Sequence, residues 1–515
     1  MKSNHLTFAL TAFLVLAAGL SSCKKDVPVT GITLEQKNLT IRVGSTANLT
    51  VSVSPLDATN KEVSYTSRNE SIATVSANGT VTGVSIGETW VVATTVEGAF
   101  RDSCEIRVDP ASGSTITLSG NITEDIILKS DVNYILDGWV YVKDGAILTI
   151  EPGTTIKGKT GSKASLIIER GGKIMANGTQ QKPIVFTSDK PTGERNTGDW
   201  GGIILCGRAP INPTGGEAEI EGGVGSKYGG NDPNDNSGIL RYVRIEFAGY
   251  AFAPDKEING LTFGGVGRGT IVEYIQVSYC NDDSFEWFGG TVNCRYLIAL
   301  GGLDDEFDTD YGFNGFVQYA VGLRDPNVAD ISKSNGFESD NDATGSTNAP
   351  ITNPRFANVS LYGPKISTES PAISLFQAAM HLRRRTALEV YNSVFAGWPK
   401  GLLMADSKGA AGNVQLKGIV MAGMNDNFSG NAAGEEEFYL DATRANRLFA
   451  TTAELKVANP FNLTAPNFLP QAGSPLLSGA VAVPAGLEST TFIGAFGSTD
   501  WTLEWANWTP QTTVY

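Results

Sequence analysis

Tyr279-Cys280-Asn281-Asp282-Asp283-Ser284-Phe285-Glu286-Trp287-Phe288-Gly289-Gly290 falls on Gly301-Gly302-Leu303-Asp304-Asp305-Glu306-Phe307-Asp308-Thr309-Asp310-Tyr311-Gly312 when the chain is shifted by 22 residues. The shift puts Asp282 on Asp304, Asp283 on Asp305, Phe285 on Phe307 and Glu286 on Asp308. A third echo, Asn335-Gly336-Phe337-Glu338-Ser339-Asp340-Asn341-Asp342, follows after a longer gap. Each of the first two copies opens behind a β-rich run, at 274–279 and 296–300. Self-similarity at a fixed period of this length marks a stacked repeat, in which one coil cannot bury its inward face alone and neighbours bury a continuous core. Phe285, Phe307 and Phe337 are expected to form a stacked core ladder.

Stacking has an electrostatic cost. Eight carboxylates and one base, Arg295, lie between Asp282 and Asp310. Parallel coils sit about 4.8 Å apart. Two like charges at that distance repel by about 1 kcal/mol in water and about 3–4 kcal/mol at an effective dielectric near 20. The acids must therefore splay into solvent as an acidic ridge or share a cation. Hard oxygen donors favour Ca²⁺. The expected ligands are Asp282, Asp283, Asp304, Asp305, Asp308 and Asp310, with Glu338, Asp340 and Asp342 as a third layer. No segment has the spacing of an EF-hand loop.

Upstream, other echoes continue the rhythm. Leu148-Thr149-Ile150-Glu151-Pro152-Gly153-Thr154-Thr155-Ile156 repeats eighteen residues later as Leu166-Ile167-Ile168-Glu169-Arg170-Gly171-Gly172-Lys173-Ile174. These units resemble the entry coils of right-handed parallel β-helices of the pectate-lyase-like superfamily. The stretch from 120 onward is also similar to a group of uncharacterised bacterial surface lipoproteins. The order of F-E-W-F-G-G-T-V, D-E-F-D-T-D-Y-G, N-G-F-E-S-D-N-D and G-A-F-G-S-T-D-W carries that likeness. It implies fold and location but no activity. A β-helix is expected over 120–480. Residues 481–515, with Trp501, Trp505 and Trp508, are expected to cap its last coil; an aromatic sugar platform is the alternative. The Gly/Asn-rich stretch 215–237 reads as a surface loop.

Residues 27–108 alternate apolar and polar positions in short runs, as in a β-sandwich. Asn78-Gly79 supplies a hairpin signal of the type I′ kind. Ser71-Ile72-Ala73-Thr74-Val75, then A-N-G-T-V-T-G-V and G-E-T-W-V-V-A, resemble bacterial Ig-like group 2 domains, although Tyr65 stands where that family often has Trp. Residues 109–119 read as a linker. The fold class is thus all-β, an Ig-like β-sandwich plus a right-handed parallel β-helix solenoid.

At the start, Lys2, an apolar run over 6–20 and Leu20-Ser21-Ser22-Cys23 have the layout of a cleaved leader over 1–22. The last four residues resemble a bacterial lipobox, which implies lipidation of Cys23, a tether over 23–26 and membrane attachment through that lipid. Lys24-Lys25-Asp26 resembles a short form of the export tags of Bacteroidetes lipoproteins. The expected location is the outer membrane, exposed at the cell surface, with a glycan or an outer-membrane transporter as partner.

Acids outnumber bases 54 to 39, which makes nucleic acid a poor partner. His381 is the only histidine after the leader, which excludes a multi-His zinc site and disfavours a Ser-His-Asp triad. Cys280 and Cys294 are placed to allow one bridge; the other cysteines read as buried side chains. Lyases on this fold use Ca²⁺ and an Arg or Lys base, and His381-Leu382-Arg383-Arg384-Arg385 is the only dense basic cluster. Strand alternation would put Arg383 and Arg385 on one face and Arg384 on the other. Catalytic candidates are therefore Arg383, Arg384 and Arg385, against a reading in which they pair with the stacked acids. The Gly-His-Gly segment of related hydrolases is missing. A binding or structural module is expected first; a calcium-dependent polysaccharide lyase or glycoside hydrolase is the alternative.

Overall fold

The computed structural model describes residues 25–253, 256–364, 374–405, 413–430 and 434–515. The leader over 1–22 and Cys23 lie outside the described residues. The chain divides into two compact units, residues 1–112 and 113–515.

In the first unit, a four-stranded sheet runs in the order Asn38–Arg42, Arg101–Asp109, Gly87–Thr95, Val63–Ser67. A three-stranded sheet holds Thr46–Asn48, Thr80–Gly83 and Ala73–Val75. Period-two alternation sends Val91, Ala93, Cys104, Ile106 and Val108 inward against Leu34, Ile41 and Val81. The hairpin signalled by Asn78-Gly79 forms, but with a four-residue loop over 76–79 rather than a two-residue type I′ turn. Only Gly79 takes positive φ, at 81°.

The second unit is a parallel β-helix built around a 26-stranded sheet. The first strand, Thr115–Ile122, lies partly inside the expected linker. Successive coils stack in three ladders. One contains Gly202–Cys206, Leu261–Gly264, Phe285–Phe288, Phe307–Asp310, Phe337–Ser339 and Ala378–Leu382. The other two are formed by the halves of eight-residue strands such as Ile271–Ser278, Asn293–Leu300, Phe316–Leu323 and Arg355–Tyr362. Between the halves the chain turns a corner through a left-handed residue: Tyr242, Tyr274, Tyr296, Tyr319 and Asn358 have φ between 51° and 62°. A non-glycine residue there costs about 1–3 kcal/mol, so neighbouring contacts must hold it. The tyrosines meet that cost by stacking, with ring centroids 4.4, 4.3 and 5.0 Å apart along the column.

The 22-residue echo is the coil register itself: Phe285 pairs with Phe307 and Glu286 with Asp308, and the third echo follows with Phe337 and Glu338. The three phenylalanines are fully buried, with centroids 5.7 and 5.6 Å apart. The described cysteines Cys104, Cys206, Cys280 and Cys294 are free and buried, so Cys280 and Cys294 are not bridged.

Two expectations about coverage are corrected. The helix Glu435–Leu440 closes the solenoid end, placing Tyr439 in the core 5.4 Å from the Phe428 ring. Residues 481–515 are not that cap. They run along the flank, from Asn392, whose side chain exchanges hydrogen bonds with the backbone of Val481, to Arg195, which donates to the carbonyls of Pro510 and Thr513. This strap buries the outward apolar row of Leu300, Val321, Leu323 and Tyr362 beneath Phe496, Trp501 and Trp505. Trp505 is fully buried, edge-on to Tyr242 and Tyr274 at 5.9 Å, which leaves no open sugar platform there. The 215–237 stretch is not a free loop either. Its hairpin Ala218–Glu219/Lys227–Tyr228 brings Ile220, Val224 and Tyr228 down onto Ile204, Cys206 and Phe288.

Candidate functional site on the outer face of the acidic coils

Along the ladder that holds the acids, inward positions carry Leu261, Phe285, Phe307, Phe337 and Met380. Alternation therefore turns the residue after each of them outward. One outward column reads Thr262, Glu286, Asp308, Glu338, His381 and Leu403; the next reads Gly264, Phe288, Asp310, then Asp340 and Arg383 just past the strand ends. The hairpin roofs the apolar start of this face. Where the roof ends, the column becomes acidic.

The turns before the strands add Asp282, Asp283, Asp304 and Asp305. Asp283, Asp305 and Asn335 are equivalent, and they form a ladder of their own. Asp283 Oδ1 accepts from the Asp305 backbone N–H at 2.8 Å, Asp305 Oδ1 from Asn335 N–H at 2.5 Å, and Asn335 Oδ1 from Ala378 N–H at 3.2 Å. A neutral amide performs the same task in the third layer, so the bonds need only an acceptor. The charge on the aspartates is surplus to the ladder.

Two carboxylate sets converge. Oxygens of Asp282, Asp283 and Asp304 lie within 4.8 Å of one another, and so do those of Asp283, Glu286 and Asp308. Asp283 belongs to both. Of the six expected ligands, Asp305 and Asp310 join neither set. Glu286 was not among them, although its match to Asp308 in the 22-residue shift marked it. Glu221, from the hairpin, also reaches this face: Asn259 Nδ2 donates to Glu286 and, at 3.4 Å, to Glu221 Oε1. No signal in the sequence connects Glu221 to acids sixty residues away.

Burial, then mutual repulsion, pushes Asp282, Asp283, Glu286, Asp305 and Asp308 well above the usual carboxylate range. Asp304 rises to about 6, and Asp310 and Glu221 to about 7, with burial the largest cause in each. Asp308 Oδ1 is buried with no hydrogen-bond partner among the described residues. An all-oxygen donor set with a spare buried oxygen suits a hard divalent cation. Asp282, Asp283, Asp304, Glu286 and Asp308 are the residues that could hold one.

The basic end is organised differently from the strand expectation. The strand stops at Leu382, so alternation ends there, and Arg384 and Arg385 take φ of 48° and 70°. Arg384 consequently turns to the partner that Arg383 already faces. Arg383 Nε lies 2.9 Å from Asp340 Oδ1, Arg384 Nη1 lies 2.8 Å from Asp340 Oδ2, and Arg383 also pairs with Glu338. His381 Nδ1 is 3.1 Å from Glu338 Oε2. Burial opposes ionisation of Glu338, but His381 and Arg383 hold it below its ordinary value. Glu338 and Asp340 in turn hold Arg383 protonated against burial.

Residues 120–459 match the family described as pectate-lyase like beta helix domain, and residues 28–106 match the bacterial Ig-like domain (group 2). An uncharacterized protein of Bacillus cereus is 40% identical over 94 residues, covering 18% of this chain and 71% of that protein. An Ig-like virion protein of Serratia phage KSP90 is 42% identical over 83 residues, or 16% of this chain and 32% of the relative. An alpha-L-arabinofuranosidase of Bifidobacterium longum is 37% identical over 84 residues, 16% of this chain and 8% of the enzyme. None of these three matches is long enough to span the β-helix.

Proposed function

The chain belongs to the pectate-lyase-like β-helix family, and on that premise we propose that it is an exported, lipid-anchored protein of the outer membrane, facing the cell surface, whose β-helix binds calcium and, through it, a glycan. An Ig-like domain followed by a β-helix fits an extracellular structural or binding module. The observation that carries the calcium reading is the pair of carboxylate sets sharing Asp283. Without a cation these acids must be protonated or repel; with one, the same geometry stabilises consecutive coils and presents a Lewis-acidic centre to oxygen-rich ligands. A neighbouring outer-membrane transporter is the other partner compatible with an anchor at Cys23.

A glycan panel, scored for both retention and product formation with calcium and with chelator, tests the reading. Calcium-dependent retention without new products is expected. Retention indifferent to calcium, and lost in no Asp308→Asn variant, would sink it. Anchoring is checked by Cys23→Ala, which should move the protein from the membrane to the soluble fraction.

One observation favours a second reading, a glycoside hydrolase. Asp310 sits at about 7 while Glu338, in the next coil, is held ionised. Divergent carboxyls are the signature of an acid and its base partner. Product formation in the same panel would select this reading. A lyase is less well served, because two of its three candidate bases, Arg383 and Arg384, are committed to Glu338 and Asp340, and the third, Arg385, has its Nε buried without a hydrogen-bond partner among the described residues.

A further inference from the structure

The Ig-like unit carries a second surface whose chemistry the acidic coils do not explain. On the outward side of its four-stranded sheet, Trp90 stands opposite Glu105 on one neighbouring strand and beside Arg68, whose backbone N–H bonds the Trp90 carbonyl, on the other. Trp90 is 37% exposed, although indole is the costliest side chain to leave in water on a small domain. The Arg68 guanidinium lies over the ring, 5.9 Å from its centroid.

Next to this pair is a depression of about 460 Å³, floored by Val92 and Thr94 and walled by Thr66, Arg68, Arg101, Ser103 and Asp102, whose carboxylate is already engaged by Lys37 and by the Leu34 and Ser103 N–H groups. That volume is within the range of small-ligand sites. The register explains how the walls meet. Thr66 and Ser103 flank Val92, and Arg101 is opposite Thr94, so side chains from three strands rise around one strip of the central strand.

The hydrogen-bonding capacity of this patch is unspent. Among the described residues, the hydroxyls of Thr66, Thr94 and Ser103 and the guanidinium of Arg101 have no hydrogen-bond or ion-pair partner in the chain, and Arg68 has only the Trp90 ring. By contrast, Lys37 pairs with Asp102, and Arg107 with Glu88 and Asp109. Arg68 and Arg101 thus place two unpaired guanidiniums side by side on a protein of net charge −15. A guanidinium held over an indole keeps its N–H edge free for a planar or tetrahedral anion. An indole π face suits the C–H face of a pyranose, and the hydroxyls suit its hydroxyl groups.

We propose that this face of the Ig-like unit is a binding site for an anionic glycan, one that carries carboxylate or sulfate groups, with Arg68 and Arg101 taking the anions and Trp90 supporting a sugar ring. The site needs no metal, and its fate is independent of the calcium reading.

The test uses the full chain in EDTA, which silences any cation on the β-helix, with polygalacturonate and heparin as charged probes and dextran as the neutral one. Binding is read by affinity electrophoresis and calorimetry. At least one charged probe should bind and dextran should not. Arg68→Gln with Arg101→Gln should weaken binding at least tenfold, Trp90→Ala should weaken it comparably, and Asp308→Asn should leave it unchanged. The glutamine variants change only exposed side chains, so they remain informative if Trp90→Ala fails to fold. No binding of either charged probe, equal binding of dextran, or full binding by the double glutamine variant would each overturn the proposal. Loss through Asp308→Asn alone would do so too, by placing the glycan on the β-helix.

Discussion

Raising the pH in the presence of chelator should destabilise this protein, against the usual behaviour of an acidic chain approaching neutrality. Asp310 and Asp304 carry folded-state values of about 7 and about 6, both above their ordinary value near 4. The folded state therefore holds more protons than the unfolded chain across that window. Stability from these groups is complete below about pH 4 and is lost as pH rises through about 6–7. At 1.36 kcal/mol per tenfold change in proton affinity, Asp310 alone sets a ceiling of about 4 kcal/mol and Asp304 one of about 3 kcal/mol. Both are half-buried, and solvent screening brings their joint effect to about 3–4 kcal/mol. For a β-helix of this size that is a fall in Tm of about 4–5 °C between about pH 5 and about pH 8. Carboxylates with lowered values, such as Asp342 at about 2, already contribute in full at the lower end and do not mask the trend. Scanning calorimetry in EDTA reads the fall. Calcium at about a thousandfold its Kd should return ~4 kcal/mol at the alkaline end, because it replaces the protons. A Tm that is flat or rising with pH in EDTA would refute the premise that these acids crowd one another.

The ladder of Asp283, Asp305 and Asn335 separates hydrogen bonding from charge. Asp305→Asn keeps the acceptor for the Asn335 N–H and should raise the Tm in EDTA near pH 8, whereas Asp305→Ala orphans that buried N–H and should cost about 1–3 kcal/mol by chemical denaturation. Equal behaviour of the two variants would show that the ladder bond contributes nothing. Trp505→Ala removes a fully buried indole from the strap and should cost about 3–5 kcal/mol, read as a lower denaturation midpoint. A loss under about 1 kcal/mol would mean that the strap contributes little to the stability of the coils.

Much of this architecture was legible because a solenoid writes its register directly into the sequence. The 22-residue shift is the pairing of Phe285 with Phe307, and the same shift marked Glu286 as the mate of Asp308. The third echo, thirty residues after the second, puts Asn335 under Asp305, but its role as a neutral acceptor emerges only from the hydrogen bonds. What stayed hidden depends on contacts with no period. The anchors Ile220, Val224 and Tyr228 are dispersed through a Gly/Asn-rich stretch whose composition looks like loop. Strand alternation separates Arg384 from Arg383, yet the strand ends at Leu382 and the left-handed Arg384 joins Arg383 on Asp340. The tryptophans near the end of the sequence read as a cap because sequence order puts them after the last coil. The apolar row that needs them lies on the flank of coils far earlier in the chain.

That flank contact changes what kind of object the β-helix is. A bare solenoid behaves as a one-dimensional array in which each coil feels only its neighbours and either end can fray by itself. Here Arg195 is tied to Thr513, Gln276 to Asn507 and Asn358 to Gly494. Each tie links a coil to a residue more than a hundred positions away, so opening one coil tugs on the others through a shared tether. The long loops so closed slow folding, since their entropy must be surrendered before the contacts repay it. In return the coils melt together rather than one by one, and the acidic face between the tied coils keeps the fixed spacing on which any shared cation depends.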